Sequence, residues 1–557
     1  NSKSTVWAYE GSTIKTFSLI TKPTENYTML GTIYVQEGKD LNIITKYRNE
    51  IKGNIRTISN KIKDYYSDNP KGIITINSNP VAITDTYKKD DLITISAGDS
   101  INYLYTDKKS SYNLTGSGEY GANIYATKGN NNYNINNALT EGYNKISDFD
   151  GNDNYNFASS TSSSSVILDY TGKDSYFSKN NSKISISDYL GNDKYSLVNS
   201  SVFISDYSGK DSYEIASADE LYLYDIKGND SYKLTSSSSL NQTINDIKGK
   251  DKYNIISSSN LLINESDIEQ TNKSGTDSYN IISSNNIEIK ETSKFSGNDS
   301  YNFNFTNNSG YSASDEILDC AGNDKYKIKS SQNINFTDKA GNDSYILDNS
   351  DNIKIIDSKG KDKYNIINNS TGANITDSNG ADTYKAVNSS DLTINDLLKS
   401  NDKYVLENVY NLNITDDGGK DSYIINNLSG QIKIEDLGGY DKITINHTTK
   451  ADLIFMAGNR WDESFNSLND DNSLYIFDKK NGGFLNIVSF FKTKDGSISD
   501  FGEGRIESVK AGKKEIGNLV DFKELNSLKS TVASWLKTNN YCSVENVLDG
   551  NNKDDIN

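Results

Sequence analysis

A fourteen-residue phrase recurs in this chain, and that recurrence limits its fold more than any other feature. "ISISDYLGNDKYSL" occupies 184–197, "VFISDYSGKDSYEI" 202–215 and "LYLYDIKGNDSYKL" 221–234. The common core is Gly-x-Asp-x-Tyr. Its aspartates are Asp153, Asp174, Asp193, Asp211, Asp230, Asp251, Asp277, Asp299, Asp324, Asp343, Asp362, Asp382, Asp402, Asp421 and Asp441. Most steps are 18–21 residues (193 to 211 is 18, 230 to 251 is 21). Three are longer, 251 to 277, 277 to 299 and 299 to 324, and predict short bulges or loops. Ser400 replaces the glycine before Asp402, and Ile443 replaces the tyrosine after Asp441. Self-similarity at such a short period is the mark of a stacked repeat.

Each repeat holds two stretches of period two, such as Ile184/Ile186 and Tyr195/Leu197, or Leu412/Ile414 and Tyr423/Ile425. That alternation predicts short strands. Asp-x-x-Gly-x-Asp forms the turn between them, and a Ser/Asn segment forms the turn after them. One such coil cannot bury its apolar side alone, but stacked coils can. The expected fold is all-β: a parallel β-solenoid of about fifteen ~19-residue coils, roughly 70 Å long at ~4.8 Å per coil, with small α/β caps at both ends. With 38 tyrosines and only 3 prolines in 557 residues, the chain does not have the composition of a disordered tract.

Stacking would align equivalent aspartates about 5 Å apart along the solenoid. A second column precedes the first by five residues at most coils: Asp148, Asp169, Asp188, Asp206, Asp225, Asp246, Asp319, Asp338, Asp357, Asp377, Asp416 and Asp436. Neighbouring unit charges at that spacing repel by ~0.8 kcal/mol in water and by several times more at lower dielectric. Summed along two columns, this rivals the roughly 5–15 kcal/mol that stabilises a domain. Cations between the carboxylates are therefore expected. All-oxygen donors without thiol or imidazole point to calcium. The glycine is expected to let the turn take positive φ and aim carbonyls at the ion.

GNDKY, GKDSY and GNDSY resemble the nonapeptide calcium-binding repeats of RTX (repeats-in-toxin) proteins, Gly-Gly-x-Gly-x-Asp-x-U-x with U a large apolar residue. The resemblance covers roughly 148–446 and holds in phase through some fifteen copies. It departs from the family in three ways. Only one turn of each coil carries the motif, an upstream Asp stands where the first glycine would be, and U is usually Tyr. The resemblance implies an RTX-like β-roll with calcium on one edge, both aspartate columns as ligands, and export by a type I secretion apparatus.

The flanks differ from this body. Residues 72–147 read as degenerate coils: "GNNNYNI" at 129–135 has Asn131 at the carboxylate position, and "GANIY" at 121–125 is uncharged too. Such coils need no ion. In an N-terminal cap over 1–71, Leu41, Ile44, Ile51, Ile55, Ile58 and Ile62 recur at helical spacing and predict a helix over 40–66. After about 451 a strand-rich segment is similar to the stretch that closes RTX rolls ahead of a secretion signal. Residues 521–538 read as an amphipathic helix.

Net charge is −18. This argues against nucleic acid or an anionic membrane as partner, and no apolar run is long enough to span a bilayer. No signal peptide is visible, and Asn1 stands where a complete reading frame would have Met, as expected of a processed or truncated chain. Cys320 and Cys542 cannot form a disulfide framework. His447 is the only histidine, and Arg48, Arg56, Arg460 and Arg505 are the only arginines, none in the repeat body. No triad or zinc motif can be assembled, so an enzyme is not expected. Two readings stay open. One is a secreted surface-layer subunit or adhesin that self-assembles or binds a cell-surface partner. The other is the calcium-binding secretion portion of a larger RTX toxin or enzyme.

Overall fold

In a computed structural model, residues 111–514 are described with their side chains, apart from short stretches of which 266–274 and 456–471 are the longest; strands between residues 3 and 110 are described by backbone only. The chain is a parallel β-solenoid of about fifteen turns, nearly all strand. One 3-10 turn, Lys450–Asp452, is the single helical element among the described residues. Two compact units divide it. The first comprises Asn1–Tyr279 with Ile287–Lys290, the second Asn280–Asn286 with Glu291–Asn557.

Each coil has two strands, and each pairs in parallel with its equivalent one coil away. In the first unit Lys183–Asp188 pairs with Ser201–Asp206, and Lys194–Val198 with Ser212–Ala216, without any register shift. In the second unit Lys363–Ile367 pairs with Thr383–Val387, part of a longer strand, in the same way. Burial alternates strictly. Ile184, Ile186, Tyr195 and Leu197 are buried while the residues between them face outward. A slip of one residue would turn the apolar set into water, so the pattern fixes the register.

The tyrosines form the centre of this core. Tyr112, Tyr133, Tyr155, Tyr176, Tyr195, Tyr213, Tyr232, Tyr253 and Tyr279 stack face to face in the first unit, with ring centroids 4.6–5.0 Å apart. Tyr301, Tyr326, Tyr345, Tyr364, Tyr384, Tyr404 and Tyr423 stack in the same way in the second, at 4.5–5.0 Å. The strand spacing imposes this distance, and stacked rings bury large areas that a chain with 34% hydrophobic residues would otherwise lack.

The predicted helix over 40–66 is not formed where the chain is described: Leu41–Thr45 and Asn49–Ile58 are strands. Pairing with neighbouring coils overrides the helical spacing of the aliphatics, because an edge left open would expose unpaired backbone groups. "GANIY" also belongs elsewhere in the coil. Ala122–Ala126 pairs with Tyr143–Asp148, so it is a first strand and Ala126 aligns with Asp148. Asn131 does hold the carboxylate position. The residues added in the three long steps include 266–274, 292–296 and 307–313, and these lie outside the described residues, as does the segment 521–538.

At the C-terminal end, Leu453–Ala457, Leu474–Asp478 and Phe484–Ile487 form an antiparallel meander. Its last strand continues one solenoid sheet beside Gln431–Asp436, and Ser508–Ala511 continues the other beside Lys442–Asn446. Among the described residues this end is built of strands.

Candidate metal centre

The Asp-x-x-Gly-x-Asp turns bring both aspartate columns together along one edge of the solenoid. Upstream aspartates end the first strand of each coil and stay in register: Asp148, Asp169, Asp188, Asp206, Asp225 and Asp246 align in turn. In the second unit Asp357, Asp377, Asp396, Asp416 and Asp436 align likewise. Every sequence-predicted ligand in the two columns is buried.

The downstream aspartates make a ladder with the backbone. The N–H of Asp174 donates to Asp193 Oδ1 at 2.6 Å, that of Asp193 to Asp211 Oδ1 at 2.6 Å, and that of Asp211 to Asp230 Oδ1 at 2.6 Å. In the second unit Asp324, Asp343, Asp362 and Asp382 each donate to the next in the same way, at 2.6–2.7 Å. One oxygen of each carboxylate is thus satisfied. In most of them the other, such as Oδ2 of Asp193, Asp211, Asp343 and Asp362, has no hydrogen-bond partner, whereas Oδ2 of Asp402 accepts from Ser400 Oγ at 2.6 Å.

Upstream aspartates are held by the tyrosine column. Tyr195 Oη lies 2.9 Å from Asp206 Oδ2 and 3.2 Å from Asp188 Oδ2; Tyr213 Oη lies 2.9 Å from both Asp206 and Asp225. A phenol has one proton and can fully satisfy only one of two carboxylates. Oδ1 of Asp206 again has no partner. Three carboxylates therefore meet in each rung. Asp193, Asp206 and Asp211 each contribute an oxygen within 4.8 Å of the others; so do Asp211, Asp225 and Asp230, and eleven further clusters occur among the described residues.

No buried lysine or arginine offsets these groups among the described residues. Burial, followed by the Asp188 charge, pushes the Asp193 carboxyl up to about 10. Burial, followed by the Asp206 charge, pushes Asp211 up to about 8. Asp206 is raised by burial even though Tyr195 and Tyr213 donate to it. An ionised carboxylate in such a place needs a cation or a proton. Orphaned carboxylate oxygens converging with only oxygen neighbours fit a hard divalent cation. When bound, such an ion would supply the missing positive charge and tie successive coils together.

The glycines act differently from the sequence expectation. Gly191, Gly209, Gly228 and Gly249 lie outside the left-handed region. A Cβ on any of them would overlap the carboxylate two residues on, so glycine is needed for close approach rather than for positive φ. Positive φ on this edge is confined to a few glycines, Gly129, Gly418, Gly438 and Gly439, and occurs regularly on the opposite edge, at residues such as Ser257, Asn349 and Asn388. There each is followed by a buried serine: Ser258, Ser350 and Ser389. The N–H of Ser237 donates to Ser258 Oγ at 3.2 Å, and that of Ser350 to Ser370 Oγ at 3.2 Å. The opposite edge thus uses the same side-chain-to-next-rung link with a neutral group, so among the described residues the stacked carboxylate columns lie along the Asp edge.

Four participants escaped the sequence pattern. Asp396 precedes Asp402 by six residues instead of five, yet aligns with Asp377. Glu265 aligns with Asp246, and Glu291 accepts from Tyr301 Oη at 2.6 Å. Both are glutamates in coils with long inserted segments, and the strand-terminal acidic position was the signal for them. Glu507 takes the place of a further downstream aspartate: the N–H of Asp441 donates to its Oε2 at 2.8 Å. His447 lies after the last repeat strand with φ +60, at the Ser/Asn edge and away from the carboxylates. Cys320 is a free thiol. No protein-family model, no curated protein and no solved structure matches this chain. The grouping that stands is by architecture: a parallel β-solenoid with stacked, buried carboxylate clusters able to hold metal ions.

Proposed function

We propose that this chain is a secreted calcium-binding β-solenoid of the RTX type, folding on calcium after export through a type I apparatus and serving as a surface-layer subunit or adhesin at the cell exterior. The observation that carries this reading is the recurrence, rung after rung, of buried carboxylate oxygens without a partner, as at Asp193, Asp206 and Asp211. Their mutual repulsion has to be removed before the stack closes, and a low-calcium compartment would keep the chain open. Calcium is preferred because its coordination sphere tolerates many oxygens in irregular geometry. A rigid body without thiol staples suits an extracellular structural role. Among the described residues no helix is long and apolar enough to cross a membrane.

The test is far-UV circular dichroism of the chain in chelator and during a calcium titration, with bound metal counted by elemental analysis. Strand signal that rises with calcium, with several ions per chain, is the expected result. A spectrum that is fully folded in chelator and indifferent to calcium overturns the reading. Magnesium matching calcium at equal concentration overturns the choice of ion.

A further inference from the structure

The net charge of −18 does not describe the surface of the repeat body. Between residues 142 and 446 the described residues include 43 Asp and Glu, of which 31 are buried and 12 are not; the 26 described lysines of the same span are all outside the core. With the carboxylate columns neutralised, as the proposed function requires, this body faces solvent with a cationic excess of 26 over 12.

The excess is patterned in the second unit. Its second strands stack in register so that Lys325, Ser344, Lys363, Thr383, Lys403, Ser422 and Lys442 form one outward column. Lysine and a hydroxyl residue alternate exactly coil by coil, which places an ammonium about every 10 Å along the face. Lys325, Lys363, Lys403 and Lys442 are exposed and form no salt bridge with another described residue, while Lys361 and Lys385 widen the same face. The outward acids on these second-strand segments are Asp348 and Glu407, each four residues along the strand from the lysine/hydroxyl column; the aspartates of the two columns are inside.

We propose that this face binds an acidic polysaccharide carrying one carboxylate per disaccharide. An extended disaccharide is about as long as two coils, so a polymer laid along the column meets a lysine at each acidic sugar and a hydroxyl at each neutral one. Nucleic acid fits less well, because its phosphates repeat about every 3.4 Å along each strand. Individual contacts of this kind are weak, and the repeat adds them along the polymer.

The experiment uses the full chain saturated with calcium, hyaluronate oligosaccharides as the probe, and isothermal calorimetry at low ionic strength. Far-UV circular dichroism on the same samples reports the calcium reading separately, so its failure is not confused with failure to bind. Binding that weakens with salt is expected. The combined variant Lys325→Ser, Lys363→Ser, Lys403→Ser, Lys442→Ser repeats the serine already present in alternate coils and should keep the fold while weakening binding at least about tenfold. Lys354→Ser with Lys433→Ser, on the first-strand face, should leave it unchanged. Absence of binding by folded protein, equal loss in the control variant, or tighter binding of a single-stranded oligonucleotide of matched charge overturns the proposal.

Discussion

The backbone N–H of Asp193 donates to Oδ1 of Asp211, one coil further on, at 2.6 Å, leaving Oδ2 of Asp211 buried without a partner. The same carboxylate that joins two coils is therefore the group that pushes them apart. This sets the sign of each expectation below.

Asp193→Asn should change stability in opposite directions with and without calcium. The amide oxygen can still accept from the Asp174 N–H, and its Nδ2 can donate to Asp206, as Asn131 does to Asp148 at 3.0 Å. In chelator the variant should gain about 1 kcal/mol, and in excess calcium it should lose at least as much. Urea melts in both buffers measure the pair of values, and a shift of one sign in both would contradict the assignment.

Acid should substitute for metal. The Asp193 and Asp211 carboxyls are raised to about 10 and about 8 in the folded state, against an ordinary value near 4. A raised carboxyl favours the folded state when protonated, so this contribution is complete below about pH 4 and is lost as pH rises through the folded values. In chelator, strand signal should grow as pH falls from about 9 to about 4. In calcium the trend should weaken or reverse, because protons then compete with the ion.

Tyr195→Phe keeps the stacked ring and removes the hydroxyl between Asp188 and Asp206. One more carboxylate oxygen then lacks a donor, at a cost of about 1–3 kcal/mol. Ser350→Ala, on the opposite edge, removes an acceptor from the Ser331 N–H (3.4 Å) and should cost about 1 kcal/mol equally in chelator and in calcium-rich buffer. The calcium dependence of the two losses, read from thermal melts, separates the ionic edge from the neutral one.

Gly191→Ala should be among the most damaging single changes in the repeat body. The added methyl would overlap the Asp193 carboxylate, forcing the turn or the carboxylate to move. A loss of about 2–4 kcal/mol is expected, together with a weaker calcium response. Gly482→Ala, where a Cβ meets nothing within 4 Å but φ is +80, should cost about 1 kcal/mol and leave the calcium response intact.

Period and alternation were legible in the sequence because solenoid coils repeat a local pattern: Ile184, Ile186, Tyr195 and Leu197 specify their own faces without reference to distant residues. The two aspartate columns followed from the same periodicity. Tertiary stacking decided what periodicity cannot express. It pulled Leu41–Thr45 and Asn49–Ile58 into strands against their helical spacing, because a neighbouring coil offered backbone partners. It brought Asp396 and Glu265 into a column that fixed offsets had excluded, since register is set by strand pairing and not by loop length. It gave glycine a role in close approach where a turn conformation had been expected. Above all, in the repeat body it put most of the acidic groups inside and the lysines outside. A sum over the sequence contains the magnitude of the charge, but only burial determines which sign a partner meets.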